Sequence, residues 1–414
     1  MPDAAIVVLG AGPAGLAAAG RAAECGQRVV LIDDNGRPGG QIWRADVSEP
    51  PHPEMLPWQY RVTERHVEVW TGSQVAASPG PSRLLVETPQ GPRNLRYSKL
   101  ILATGARERF LPFAGWTLPG VMGAGGLQAL VKSGWPINGR RVVVAGSGPL
   151  LLAVASYLRR RGARVLAVAE QASAGHVRRF AAGLALDRHR LGQALRLRAS
   201  LLGTPYRTSC WPVSAEGDGK LERVTLTGGR TLDCDYLACG FGLIPNTEPA
   251  ALLGCRIEDG RVAVDEWQQT SVSGVYAAGE VTGVGGVDLA LAEGEIAGFS
   301  AGGNPDAARK RFAVRDSNRR FAVRMNAAFA LRAELRQIPR PDTVLCRCED
   351  VSFERAGRCS GWREAKLHTR CGMGPCQGRV CGEAARFLFG WDTKSDRQPI
   401  LPVDISLLSH SSDG

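Results

Sequence analysis

One ordered string near the start of the chain restricts what the rest can be. Ala5-Ile6-Val7-Val8-Leu9 is a short apolar run suited to a buried parallel strand, and it enters Gly10-Ala11-Gly12-Pro13-Ala14-Gly15. An Ala-rich stretch then reads as a helix to about Cys25. A second strand, Arg28-Val29-Val30-Leu31-Ile32, ends at Asp33, 18 residues past the third glycine. Gly10 permits the tight turn, Gly12 lets the backbone approach a pyrophosphate, and Gly15 allows the helix to pack closely on the strand. The helix N-terminus offers free N–H groups and its positive dipole end to phosphate. Asp33 can accept hydrogen bonds from ribose hydroxyls, and Asp34 is counted with it as a candidate contact. A lone Gly-rich turn can be merely structural; with strand, helix, second strand and acid all in place, the string points to dinucleotide binding and an α/β fold.

The chain has 414 residues, enough for two or three domains, and 44% of them are apolar. No apolar run reaches the ~18 residues of a membrane-spanning helix. Met1-Pro2-Asp3 leads straight into the first strand without a basic region or a cleavage-like site, so the expectation is a cytoplasmic protein, with a membrane-peripheral placement left open. The net charge of +11 is uneven: residues 309 to 340 hold ten Lys or Arg against Asp316 and Glu334. No nucleic-acid motif accompanies that stretch. It reads as a solvated helical connector, its functional version being a surface for an acidic partner protein or a cofactor phosphate.

Three later strings, in order, resemble those of flavoproteins with two dinucleotide-binding domains. They are Pro38-Gly39-Gly40-Gln41, the strand ending in Ala103-Thr104-Gly105, and the run from Thr270 to Ala278-Gly279-Glu280. In such proteins the first lies beside the flavin diphosphate and the second leaves the FAD domain. The third returns to it, with an acid, usually Asp, on the ribityl chain; Glu280 is longer by a methylene. The resemblance implies FAD on Gly10, Gly12, Pro13, Ala14, Gly15, Asp33, Asp34, Gly39, Gly40, Gln41, Ala103, Thr104, Gly105, Gly279 and Glu280. A bare adenine nucleotide in the same half-site is the alternative.

A second unit of the same kind lies between those halves. Arg141-Val142-Val143-Val144-Ala145 leads into Gly146-Ser147-Gly148-Pro149-Leu150-Leu151, and a further strand ends at Glu170. In reductases of this architecture it holds NAD(P)H. Here Leu151 replaces the third glycine and should spoil the close approach that glycine permits, which favours a retained scaffold over a working nicotinamide site; Glu170 would oppose a 2′-phosphate, so NADPH is disfavoured. A redox cysteine pair is missing from the usual places, since no cysteine occurs between residues 26 and 209. Cys234 and Cys239 flank a strand and read as buried thiols. The six histidines are scattered, and none is an evident general base.

Five of the 11 cysteines fall within 36 residues: Cys346-Arg347-Cys348, then Cys371-Gly372-Met373-Gly374-Pro375-Cys376, then Cys381. Thiolates are soft ligands for iron–sulfur clusters or zinc, and four complete a 2Fe-2S cluster. Zinc and reduced structural thiols are the alternatives. The arrangement resembles the ferredoxin domain of the bacterioferritin-associated type, with a longer gap in the second pair. The ligands expected are Cys346, Cys348, Cys371 and Cys376, with Cys381 held in reserve and Cys359 structural. Residues 378–387 read as a helix whose start sits at Cys376.

Taken together, the motifs resemble a specific family over nearly the whole chain. Besides those above, they include Ala103-Thr104-Gly105-Ala106-Arg107-Glu108-Arg109, Gly115-Trp116-Thr117-Leu118-Pro119-Gly120-Val121 and Gly372-Met373-Gly374-x-Cys376-Gln377-Gly378. The family is the larger FAD/2Fe-2S flavoprotein subunit of heteromeric amino-acid dehydrogenases, of the opine oxidase, D-hydroxyproline dehydrogenase, hydrogen cyanide synthase and dye-linked proline dehydrogenase types. It implies two nested Rossmann-like domains plus a small cysteine-rich domain. The segments would be 1–110 with 241–305 for FAD, 111–240 inserted, 306–340 a basic connector, 341–395 for the cluster and 396–414 a tail. It also implies a hetero-oligomer with an amine-oxidase-like flavoprotein subunit that breaks the C–N bond, FMN near the subunit boundary, and in some members a small ferredoxin-like subunit. This chain would then forward electrons to an external acceptor. The competing readings are a self-sufficient NAD(P)H-dependent FAD reductase and an assembly subunit whose flavin or nucleotide is structural.

Overall fold

In the computed structural model, which describes residues 3–393, 398–405 and 407, the chain divides into two units. The first comprises residues 1–107, 244–323 and those from 395 onward; the second comprises 108–243 and 324–394. The division therefore falls inside the helix Phe312–Ala328, within the basic stretch.

The first unit is built on a seven-stranded sheet. Ala4–Leu9 pairs in parallel with Val29–Ile32 on one side and with the long strand Gly91–Leu102 on the other. Val275–Ala277 joins the far side of Gly91–Leu102, also in parallel, in register Val275 to Leu100 and Ala277 to Leu102. Ala4–Leu9, Val29–Ile32, Val275–Ala277 and the closing Leu100 to Leu102 of the long strand are buried on both faces, which is why they read as continuous apolar runs; the first part of Gly91–Leu102 instead alternates. Their carboxyl ends converge at Leu9, Ile32, Leu102 and Ala277, the edge at which open α/β sheets take ligands.

Helix Pro13–Glu24 lies against helix Val287–Gly302, and the sequence pattern that permits it is a ladder of small residues. A Cβ on Gly294 would sit 2.2 Å from the Ala14 carbonyl oxygen, and one on Gly298 would sit 2.4 Å from that of Ala18. Backbones this close leave no room for a methyl group. We expect Gly298→Leu to cost at least about 3 kcal/mol, the upper end for overpacked cores, read as a lowered urea midpoint at unchanged slope.

In the second unit, a five-stranded sheet pairs Arg141–Gly146 in parallel with Arg164–Glu170 and Tyr236–Gly240. Helix Leu150–Arg160 buries Leu151, Val154, Ala155 and Leu158 against it. Leu151 is fully buried core, so the residue in the third glycine's place has an apolar packing role. Cys234 and Cys239 are fully buried in the same unit, and burial pushes the Cys234 thiol up to about 12 and that of Cys239 well above its usual value. Both stay protonated, as the reading of them as buried thiols requires.

The cysteine-rich segment closes this unit with helices Trp362–Thr369 and Cys381–Phe389 around Trp362, Leu345 and Val351. The second helix begins at Cys381 and not at Cys376, a correction to the sequence reading. Gln377 and Gly378 take left-handed φ angles of 50° and 79°, so the chain turns once more before it can enter the helix.

Candidate functional site

The first site is the edge where the parallel strands of the first unit end. Gly10 has φ of 100°, and a Cβ there would lie 2.2 Å from the Ala103 carbonyl oxygen. A Cβ on Gly15 would lie 1.7 Å from the Gly10 carbonyl oxygen. Both glycines are therefore required by the turn itself. Gly12 differs: it has φ of −74°, and a Cβ there would meet only the Gly40 Cα, at 3.8 Å. Its lack of a side chain is not demanded by its own surroundings, which is what a backbone kept bare for a ligand looks like.

The other elements of the expected cradle gather around this turn. The Gly39 N–H donates to the Ala11 carbonyl at 2.8 Å, and Gly40 faces Gly12. Asp33 is buried; one carboxylate oxygen accepts from the Ala11 N–H at 2.5 Å, the other from the Asn35 N–H at 2.8 Å. Its carboxylate thus holds the turn, and the Asn35 Nδ2 also donates to it at 2.9 Å. Asp34 and Gln41 are exposed, and the Gln41 Oε1 accepts from Arg44 Nη2 at 3.0 Å. Thr104 and Gly105 are fixed by a residue the sequence reading missed. Asn246 accepts from the Thr104 hydroxyl at 2.7 Å through its carbonyl and donates to the Thr104 carbonyl at 2.9 Å and, through its backbone N–H, to the Gly105 carbonyl at 3.0 Å. Pro13 and Ala14 open the helix, and a Cβ on Gly279 would fall 2.7 Å from that of Ala14.

Glu280 is held by its Oε1, which accepts from the Gly286 N–H at 2.9 Å, while its Oε2 is buried without a partner. Burial, aided by nearby Glu293, pushes its carboxyl up to about 7. Behind it, the fully buried Glu293 accepts from the Gly279 N–H at 3.0 Å and pairs with Arg319 at 2.7 Å. Arg319 also donates to the Oε1 of buried Gln268 at 2.9 Å. Arg311 pairs with Glu295 at 2.9 Å. Two cations of the basic stretch thus brace helix Val287–Gly302, whose Glu293 in turn holds the Gly279 N–H, a use that charge counting could not reveal.

These features fit an FAD-type ligand. Trp43 Nε1 and Arg44 Nε are buried donors without partners just past Gly39-Gly40-Gln41, and Glu280 Oε2 is a buried acceptor without one. A diphosphate and a chain of hydroxyls are the kind of group that would satisfy such atoms. Since Glu280 holds its proton to about 7 when folded against about 4.5 when unfolded, the flavin-free protein loses stability as pH rises from 4.5 to 7. We expect Glu280→Gln to gain about 3 kcal/mol over the parent at pH 8, at about 1.4 kcal/mol per unit, and nothing at pH 4.5, in parallel urea titrations.

The second site lies in the other unit. The Sγ atoms of Cys346, Cys371 and Cys381 all lie within 4.8 Å of one another and are buried. Cys376 contacts both Cys381 and Cys348, so the five thiols form one continuous group. Hydrogen bonds from Cys371 and Cys381 hold the Cys346 thiol down at about 2; those from Cys381 and Cys348 bring Cys376 to about 5. Cys371 is correspondingly pushed up to about 12, and Cys381 far above its usual value. The Gly372 N–H points to Cys346 Sγ at 3.5 Å. A Cβ on Gly374 would lie 2.3 Å from that of Cys348, so the Gly-Met-Gly loop can close over Cys348 only with glycine there. Cysteine sulfurs pressed together, with a backbone N–H aimed at one of them, are a donor set suited to an iron–sulfur cluster, which binds them as thiolates. Cys359 is half-buried and packs on the surrounding core.

By its fold and its nucleotide cradle the chain is an oxidoreductase of the flavoprotein type: it belongs to the pyridine nucleotide-disulphide oxidoreductase family, which residues 4–296 match. More particularly, it is similar to the hydrogen cyanide synthase subunit HcnB of Pseudomonas aeruginosa, 34% identical over 420 residues that cover 91% of this chain and 90% of that one. It is also similar to an opine oxidase subunit of Rhizobium meliloti, 33% identical over 417 residues, with 91% and 90% covered. The resemblance drawn from the motifs is thereby borne out, and the chain is a subunit of an FAD-dependent oxidoreductase. Among solved structures, L-proline dehydrogenase from P. horikoshii superposes with a TM-score of 0.67 at 20% identity, covering 98% of this chain and 79% of the other. Thioredoxin reductase of Lactococcus lactis does so with 0.56 at 20% identity, covering 75% and 99%. Those two likenesses are of fold. Among the described residues, no helix is long and apolar enough to cross a membrane.

Proposed function

We propose that this chain is the electron-relay subunit of a heteromeric amino- or imino-acid dehydrogenase of the opine or D-hydroxyproline type. Bond-breaking at the CH–NH donor is assigned to a partner subunit of the amine-oxidase-like flavoprotein class, with FMN at their boundary, and this chain forwards the electrons to an external acceptor. The observation that carries the proposal is the joining of five cysteine thiols within a chain that also holds a flavin-type cradle. The relatives are subunits of a hydrogen cyanide synthase and of an opine oxidase, which supports the heteromeric reading.

When bound, FAD and a 2Fe-2S cluster supply two-electron and one-electron redox chemistry respectively. The chain's own residues bind and orient them. The Gly10 to Gly15 turn, with Gly39 and Gly40, takes the diphosphate, Asp33 faces the ribose, and Ala103, Thr104 and Gly105 with Gly279 wall the cradle. Glu280 Oε2 receives a hydroxyl hydrogen. Cys346, Cys348, Cys371 and Cys376 hold the cluster, with Cys381 close enough to replace Cys371. Cys348 is exposed, so that side of the thiol group is open to an electron-transfer partner.

The test is to purify the chain alone, anaerobically. About two iron and two sulfide per chain, an EPR signal on dithionite reduction and negligible turnover of proline, hydroxyproline or an opine are expected. Strong turnover by the isolated chain contradicts the relay role.

A further inference from the structure

The fingerprint of the inserted domain is already in use. Residues 329–332, which follow helix Phe312–Ala328, cross the turn Gly146-Ser147-Gly148 within the same unit. The Ser147 hydroxyl donates to the Phe329 carbonyl at 2.8 Å. The Gln171 Nε2 donates to the Ala330 carbonyl at 3.1 Å and to the Ser147 hydroxyl at 2.9 Å. In return the Arg332 N–H donates to the Gln171 Oε1 at 3.2 Å, and Arg332 Nη1 reaches the Ser209 hydroxyl at 2.9 Å. The Phe329 side chain stands over the second glycine: a Cβ on Gly148 would be 3.9 Å from the Phe329 Cβ and Cγ. Its ring also meets Phe180 edge-on, with centroids 5.2 Å apart.

At such a turn the second glycine's bare face and the donors beside it are what a dinucleotide's diphosphate uses. The glycine's face and the donors of Ser147, Gly148 and Gln171 are occupied here. Glu170, fully buried, takes the Gly148 N–H at 2.7 Å and the Ala172 N–H at 2.8 Å. Ser147 and Gln171 are spent on the carbonyls of the crossing segment. The two cradles of this chain thus differ in kind: Gly12 faces only another glycine, whereas Gly148 is covered by an aromatic side chain and a carbonyl-bearing strap.

We propose that the dinucleotide-type cradle of the inserted domain is a docking groove for the chain's own residues 329–332, whose carbonyls take the donors a diphosphate would take. Pyridine nucleotides are shut out, and the groove instead anchors the segment that leads to the cysteine-rich helices. This conclusion rests on neither the flavin nor the cluster, so it can fail while the proposed function stands.

The test uses the full chain. NADH and NADPH are titrated in turn by calorimetry, and amide hydrogen exchange is followed across 329–332 in the parent, in Gln171→Ala and in the milder Ser147→Ala. Working cofactor sites saturate between about 1 µM and 1 mM. The expected result is no saturation by either nucleotide up to about 1 mM, with the Arg332 amide, which donates to Gln171, protected in the parent and exchanging about tenfold faster in whichever variant folds. Saturable binding of NADH or NADPH by the parent overturns the proposal. So does exchange of the Arg332 amide in the parent at the rate of an unstructured peptide.

Discussion

Replacing Cys346 with Ser is expected to strip the iron from the chain and leave its flavin in place. Cys346 is the most buried member of the first pair, it touches Cys371 and Cys381, and it receives the Gly372 N–H. A serine oxygen is a harder and shorter ligand than a thiolate, and metal affinity couples directly to the local fold. Loss of the ligand should lower retained iron by at least about a hundredfold, the upper end of what outer-shell changes do. Flavin content should remain within error of the parent, since the flavin cradle is in the other unit. The same assay separates the fourth ligand: with Cys371 and Cys381 both close to Cys346, only one of Cys371→Ser and Cys381→Ser should lose iron as fully as Cys346→Ser.

Gly12→Val should do the reverse, emptying the flavin cradle while sparing the iron. The backbone at Gly12 is extended, with φ of −74° and ψ of −174°, which valine tolerates well. A Cβ there meets nothing closer than 3.8 Å, so the flavin-free fold should change by less than about 1 kcal/mol. The added methyls project where a diphosphate must come against the turn. A hundredfold weaker flavin, about 2.8 kcal/mol, is the minimum expected, read by equilibrium dialysis of FAD. Gly15→Ala is the contrast that makes the result specific. Its Cβ would stand 1.7 Å from the Gly10 carbonyl oxygen, so it should damage folding of the unit itself. Equal loss of flavin and stability in both variants would remove the distinction drawn between a structural and a ligand-facing glycine.

The sequence exposed most of the first unit because parallel strands buried on both faces carry an unmistakable apolar signature and end in glycine turns with fixed spacing. Leu9 to Gly10 and Leu102 to Ala103 are such ends, and both lie where expected. What it hid was anything depending on contacts far apart in the chain. Asn246 pins Thr104 across 142 positions and Arg319 pairs with Glu293 across 26. Neither has a local pattern, although the run Gly294, Gly298, Gly302 is a four-residue ladder that could have announced close helix packing. The helix start at Cys381 was missed because two successive left-handed residues, one a glutamine, cannot be inferred from composition. The basic stretch was read as a solvated face, yet Arg311 and Arg319 are tied to buried carboxylates and Arg332 belongs to a strap over the second fingerprint. Leu151 marked that fingerprint as altered. It could not show that Phe329 and its neighbours had taken the place of a ligand.

The most direct measurement is stopped-flow spectroscopy of the assembled complex, with this chain carrying Cys346→Ser and Cys348→Ser together. Substrate should still bleach the flavin of the partner at the parent rate, while reduction of the external acceptor falls by on the order of a hundredfold or more. Full acceptor reduction by an iron-free complex would contradict the view that this chain carries the electrons onward.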